Sequence, residues 1–152
     1  MGGFPHALPQ LPSRSITAPS PAHERSLQLA LAAARTAEEN RGENVVLLDM
    51  RQITPVFDYF VIATGNSRRQ LHAISDEVER VLTAELKDKR MGIEGFDESK
   101  WILLDYGNVV IHLFDAETRD FYALEDFWSE AERVPLPWHD GQSSAGESST
   151  GA

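Results

Sequence analysis

Cysteine does not occur among the 152 residues. Its absence excludes disulfide staples and thiolate metal sites, and suits a reducing compartment. No apolar run approaches the ~20 residues that a membrane-spanning helix needs. The first residues lack the apolar stretch of a secretion signal, so a cytoplasmic protein is expected. Positive charge is scarce: 14 Lys and Arg stand against 24 Asp and Glu, a formal net charge of −10. The deficit is concentrated between Glu94 and Glu132, where eleven acids meet two bases, Lys100 and Arg119. Phosphate backbones are held by Lys and Arg, so direct nucleic-acid contact is expected to be minor at most. A basic protein partner is complementary to such a stretch; an acidic surface that only aids solubility has the same composition.

Signatures of catalysis are also missing. There is no phosphate-binding G-x-x-x-x-G-K-[ST] and no G-x-G-x-x-G. The five histidines lack H-x-x-x-H or H-E-x-x-H spacing, so neither a metal nor a cofactor is expected. Gly65-Asn66-Ser67 stands where a strand pattern meets a helix pattern, but Arg69 occupies the position where a nucleophile elbow needs its second glycine. That turn has two readings. Its N–H groups, with Arg68 and Arg69 alongside, could hold an anion, or Ser67 simply caps the helix with Gln70. Asp49 is expected to accept hydrogen bonds from a turn rather than to act as a base.

Both ends differ from the middle. Residues 1–22 are proline-rich and sparsely charged and carry no periodicity, which predicts a tail. An organelle transit peptide would also carry few acids, but the amphipathic arginine pattern is missing. Residues 135–152 are read as a second tail, Gly/Ser-rich from Asp140 onward. One folded domain is expected over residues 23–134.

At its start, Ser20 caps a helix with Pro21 at the first position, and Arg41-Gly42 ends it. Leu27, Leu31, Ala34 and Ala37 form its expected stripe. Val45 to Met50 and Tyr59 to Thr64 read as strands apolar on both faces, as in a sheet covered by helices. A long helix follows from Ser67 to about Lys89, with Leu71, Ile74, Val78, Leu82 and Leu86 inward. Met91 to Gly95 suits an edge strand. Asp115 caps a last helix to about Arg133, with a stripe of Phe121, Leu124, Trp128 and Ala131. The order α-β-β-α-β-β-β-α predicts an α/β fold, a mixed β-sheet with helices packed on it.

Gly107-Asn108 joins two strand patterns and signals a hairpin in which Tyr106 faces Val109. That register puts Ile102, Leu104, Tyr106, Val109, Ile111 and Leu113 on one wholly apolar face, which must be core. The other face mixes Trp101, Leu103 and Asp105 with Val110, His112 and Phe114. Aromatic anchors with a few polar groups make a docking surface. The alternative is a second buried face with Asp105 and His112 bonded to each other.

Longer segments carry a resemblance. Asp58-Tyr59-Phe60-Val61-Ile62-Ala63-Thr64-Gly65-Asn66-Ser67, Ile93-Glu94-Gly95, Trp101-Ile102-Leu103-Leu104-Asp105-Tyr106-Gly107, Val110-Ile111-His112-Leu113-Phe114 and Arg119-Asp120-Phe121-Tyr122-Ala123-Leu124-Glu125 follow one another in order. Together they closely resemble the ribosomal silencing factor (RsfS, or Iojap) family over about Leu27 to Ala131. Phe121 and Phe127 stand where the family often has Tyr and Leu. The resemblance implies a nucleotidyltransferase-like fold without the catalytic acids, in agreement with the missing D-x-D. It implies no enzymatic activity. It implies binding to the large ribosomal subunit through its protein numbered fourteen, a block on joining with the small subunit, and repression of translation when nutrients are short. A homodimer is implied for the free protein. The contact is expected at Glu94, Trp101, Leu103, Asp105, His112, Phe114 and Glu125. The alternatives are a nucleotidyltransferase-like enzyme using the Gly65–Ser67 turn and a large-subunit assembly factor.

Overall fold

The computed structural model describes residues 20–139. A six-stranded mixed sheet forms the middle layer. Its strands are β1 (Glu43–Asp49), β2 (Tyr59–Thr64), β3 (Gly92–Glu94), β4 (Trp101–Asp105), β5 (Val109–Phe114) and β6 (Glu132–Arg133), in the order β3-β4-β5-β2-β1-β6. Among the described residues only the β2–β5 pair is parallel. Every residue of β2 and β5 is buried, as central strands covered on both faces require.

The first face is closed by α1 (Pro21–Glu39), α2 (Arg68–Glu79) and a π-helical continuation, Arg80–Glu85. The Ser20 and Ser67 side chains cap α1 and α2 by accepting from His23 N and Gln70 N. Leu71, Ile74, Val78 and Leu82 are buried as their spacing predicts, while Leu86 is half-buried at the end. Lys87 takes a left-handed φ of 61°, which ends the helix short of the expected Lys89. The α1 stripe is rotated from the expected one. Leu29, Ala30, Ala33, Ala34 and Ala37 are buried, whereas Leu27 and Leu31 are half-buried at its edge. A face of alanines lets the helix lie close on the sheet; the larger leucines pack at the flank.

The hairpin has the expected register. Tyr106 N donates to Val109 O over 2.9 Å, and Leu104 faces Ile111. Gly107 supplies the positive φ (84°) that the two-residue turn needs. Ile102, Leu104, Tyr106, Val109, Ile111 and Leu113 are all buried beneath the helices.

The chain after β5 departs from expectation. In place of one helix to Arg133 there are α3 (Ala116–Tyr122), α4 (Leu124–Phe127) and the short edge strand β6, which pairs with β1 at Leu48 and Asp49. Ala123 between the helices is left-handed (φ 46°, ψ 53°). The break coincides with an ion pair of the buried Arg119. Its guanidinium donates to Thr64 Oγ1 (2.8 Å) and to Glu125 Oε2 (2.5 Å from Nη2). In a continuous helix residues six apart point about 120° away from each other at 3.6 residues per turn, so Glu125 reaches Arg119 only because the chain bends. The expected stripe fails with it: Phe121 is 79% exposed, Leu124 and Trp128 are half-buried, and Ala131 alone is buried.

The packed domain also extends past residue 134. Leu136 is 6% exposed in the main core, and Trp138 Nε1 and His139 Nε2 meet the two oxygens of Glu38 at 2.6 and 2.7 Å. The second tail therefore cannot begin at 135, because apolar side chains there complete the core beside α1. Helix α1 begins at Pro21 behind its Ser20 cap, as expected, so the domain starts slightly before the expected boundary at residue 23. Residues 1–19 and 140–152 lie outside the described residues.

Candidate docking face

Register decides which side chains share the second face. Glu94 faces Leu103 across β3–β4, Leu103 faces His112, and His112 faces Ile62. One row over, Trp101 faces Phe114. The α3–β6 segment covers the β5, β2 and β1 part of this face. There Leu48, Met50, Phe60, Ile62, Val110, Phe114 and Ala131 form a second apolar cluster, with Leu124 and Trp128 laid on it. The β3–β4 part is less covered: Glu94 is exposed, and Trp101, Leu103 and Asp105 are half-buried.

His112 and Phe114 lie underneath rather than at the surface. His112 is 4% exposed, and Trp101 Nε1 donates to its Nδ1 over 3.1 Å. That bond assigns the remaining ring proton to Nε2, which has no hydrogen-bond partner among the described residues. The ring packs edge-on against Phe60 at 4.7 Å. Burial pushes its pKa down to about 4, so the ring is neutral near pH 7. Phe114 stacks under Trp101 at 4.9 Å. The two buried rings thus hold the Trp101 indole in place. Asp105 is not bonded to His112; its Oδ1 accepts from Gly107 N at 2.8 Å and tightens the turn.

Glu125 points inward to Arg119. Burial acts to raise its pKa, but the hydrogen bonds and charge of Arg119 outweigh it and hold the carboxyl below its ordinary value. Its role in this geometry is to shape the α3–α4 bend.

The most exposed aromatics were missed by periodicity. Phe121, Tyr122 and Phe127 are exposed, and Tyr122 lies 4.8 Å from Trp101. A weaker signal was present in the pairs Phe121-Tyr122 and Phe127-Trp128: adjacent residues on a helix point about 100° apart, so on short helices two bulky rings in succession do not both fit a narrow buried stripe. Exposed acids surround them, among them Glu98, Glu117, Asp120, Asp126 and Glu130.

Other polar clusters hold the fold together. Asp49 accepts from Arg51 N (3.0 Å), as expected of a turn acceptor, and also binds its guanidinium. Asp58 accepts from Ser26 Oγ (2.8 Å) and lies 3.4 Å from His23 Nε2. With the carboxylate between them, the histidine is not placed to take the serine proton. His72 Nε2 lies 2.8 Å from the Phe96 carbonyl, an acceptor, so it carries a proton and is no base toward Ser99. At the Gly65–Ser67 turn, Gln70 Oε1 accepts from Asn66 N and Asn66 Nδ2 donates to Glu43. This is a satisfied cap with a carboxylate beside it, which disfavours a bound anion. Among the described residues no group of three or more His, Asp or Glu is arranged to hold a metal ion, and no helix is long and apolar enough to cross a membrane.

Fold and face together define a class: a small mixed-sheet α/β protein with an aromatic, acid-rimmed surface suited to docking. The family model described as "Ribosomal silencing factor during starvation" matches residues 23–152. The ribosomal silencing factor of Bacillus subtilis is 41% identical over 105 residues, which cover 68% of this chain and 87% of that relative. A mouse protein named for mitochondrial assembly of the ribosomal large subunit is 39% identical over 95 residues, 59% of this chain and 41% of its own. A crystal structure from Chromobacterium violaceum superposes with a TM-score of 0.65 at 31% identity, over 68% of this chain and 86% of that one. The chain belongs to the ribosomal silencing factor family.

Proposed function

We propose that this protein docks on the large ribosomal subunit through its protein numbered fourteen, blocks joining with the small subunit, and lowers translation when nutrients are short. The observation that carries this reading is the incompletely covered β3–β4 part of the second sheet face, bordered by the exposed Phe121 and Tyr122 and by acids. Large aromatics supply binding energy when desolvated, and the surrounding carboxylates complement a basic ribosomal protein. Family membership supports the choice of partner. The free protein is proposed to be a cytoplasmic homodimer and not an enzyme.

The test is co-sedimentation of the purified chain with isolated large and small subunits, followed by a subunit-joining assay. The chain should pellet with large subunits alone and reduce the fraction of joined ribosomes. Equal binding to both subunits, or to neither, defeats the reading. The name of the mouse relative favours a second role in large-subunit assembly. That role predicts large-subunit precursors when the protein is depleted from growing cells.

A further inference from the structure

A groove of about 460 Å³ opens between the 95–100 loop and α3. Trp101, Phe121 and Tyr122 contribute aromatic walls, and Glu98, Glu117 and Lys100 contribute charge. The Trp101 and Tyr122 rings stand 4.8 Å apart at 49°, and Phe121 and Tyr122 meet at 88°. The groove is therefore cornered rather than flat. Its size falls near the lower end of pockets that hold small ligands, ~300–1,000 Å³, which suits one side chain rather than a helix.

Part of its wall is set before any partner arrives. Trp101 is fixed from below by the His112 hydrogen bond and the Phe114 stack. The 95–100 loop is fixed from behind, where Phe96 stacks on His72 at 3.9 Å and Ser99 Oγ lies 2.7 Å from its Nε2. At Gly95 a Cβ would fall 2.0 Å from the Trp101 carbonyl, so only glycine lets the loop pass there. Walls fixed in advance reduce the ordering cost of binding.

The chemistry selects the occupant. Two exposed carboxylates against one ammonium disfavour a phosphate. A purely apolar side chain would cover the aromatic rings but leave the carboxylates without a counter-charge. A guanidinium satisfies both, because its plane stacks on an aromatic face while its N–H groups bind carboxylates. We propose that this groove is the receptor for a single arginine side chain presented by the basic docking partner. The proposal rests on the docking reading above for the identity of that partner.

Two arms separate the proposal from that reading. In the first, the full-length chain, Glu98→Gln/Glu117→Gln and Lys100→Met are compared in binding to purified large subunits. All three substituted side chains are exposed, so the fold should tolerate them. The double glutamine variant should bind roughly tenfold more weakly. Lys100→Met should bind severalfold more tightly, because it removes a like charge from the arginine's surroundings. In the second arm, N-acetyl-arginine methylamide is titrated into the free chain while the Trp101 indole N–H is followed by NMR. A saturable shift is expected, absent with N-acetyl-norleucine methylamide and lost in the double variant. If the double variant binds subunits like the wild type, the groove is not the receptor. If Lys100→Met weakens binding, the occupant is an anion such as ribosomal RNA phosphate, and the proposal is overturned. If the wild type fails to bind large subunits, the docking reading falls by itself. The arginine titration then decides the groove alone, and the lack of a saturable shift refutes it.

Discussion

The two faces of the sheet are closed by different means. On the first, two long helices lay continuous apolar stripes over the hairpin and the central strands, and Leu104, Ile111 and Leu113 have no exposure. On the second, a segment broken at Ala123 covers β5, β2 and β1 and leaves β3 and β4 half open. The first arrangement spends its large side chains on folding. The second keeps Phe121 and Phe127 at 79% and 72% exposure, where they contribute little to the fold and are available to a partner. A single strand shows the contrast: on β4, Ile102 and Leu104 are buried while Trp101, Leu103 and Asp105 are half exposed.

The strongest way to break this comparison is to hollow out the first face. Leu104→Ala and Ile111→Ala should each lower folding stability by about 2–4 kcal/mol through lost burial and a cavity, read by chemical denaturation. A loss below that of surface variants would mean the first face is not the main core.

Next in size is the buried histidine of the second face. His112 is neutral in the fold, with a pKa pushed from 6.5 to about 4. Between those values the unfolded chain binds a proton that the folded chain does not, so stability falls as pH falls. Acidification from pH 6.5 to 4 should cost the wild type about 3 kcal/mol relative to His112→Phe. The comparison with the variant cancels the other titrating groups. Parallel pH profiles for the two proteins would show that the imidazole charges without penalty.

The smallest effect sharpens the contrast most. Phe127→Ser should change stability by no more than about 0.5 kcal/mol, because the ring buries little area. A drop comparable to that of Leu104→Ala would place Phe127 in the core and remove the difference between the two faces.

Much of this was legible in the chain. The caps at Ser20, Ser67 and Asp115, the hairpin register around Gly107 and the apolar hairpin face all follow from local chemistry. Each depends on residues a few positions apart, so short-range pattern carries the information. The family was legible as well, from strings of residues rather than from periodicity. The candidate contact residues divided in a way that pattern did not reveal. Glu94, Trp101, Leu103 and Asp105 lie on the less covered part, His112 and Phe114 support it from below, and Glu125 belongs to an internal ion pair.

Alternation along β4 and β5 determined that this protein has a second sheet face, and which side chains share it. Only the tertiary structure decided where that face is covered. Arg119 reaches back to Thr64, 55 positions earlier in the chain, and draws Glu125 toward itself. The left-handed Ala123 lets Glu125 make this bond, and Phe121, two residues from the inward Arg119 on the same helix, faces outward. Leu136 and Trp138 likewise find their places against a helix about 100 residues before them. Interactions across such distances leave no period in the sequence, because the partners become neighbours only after the sheet has formed.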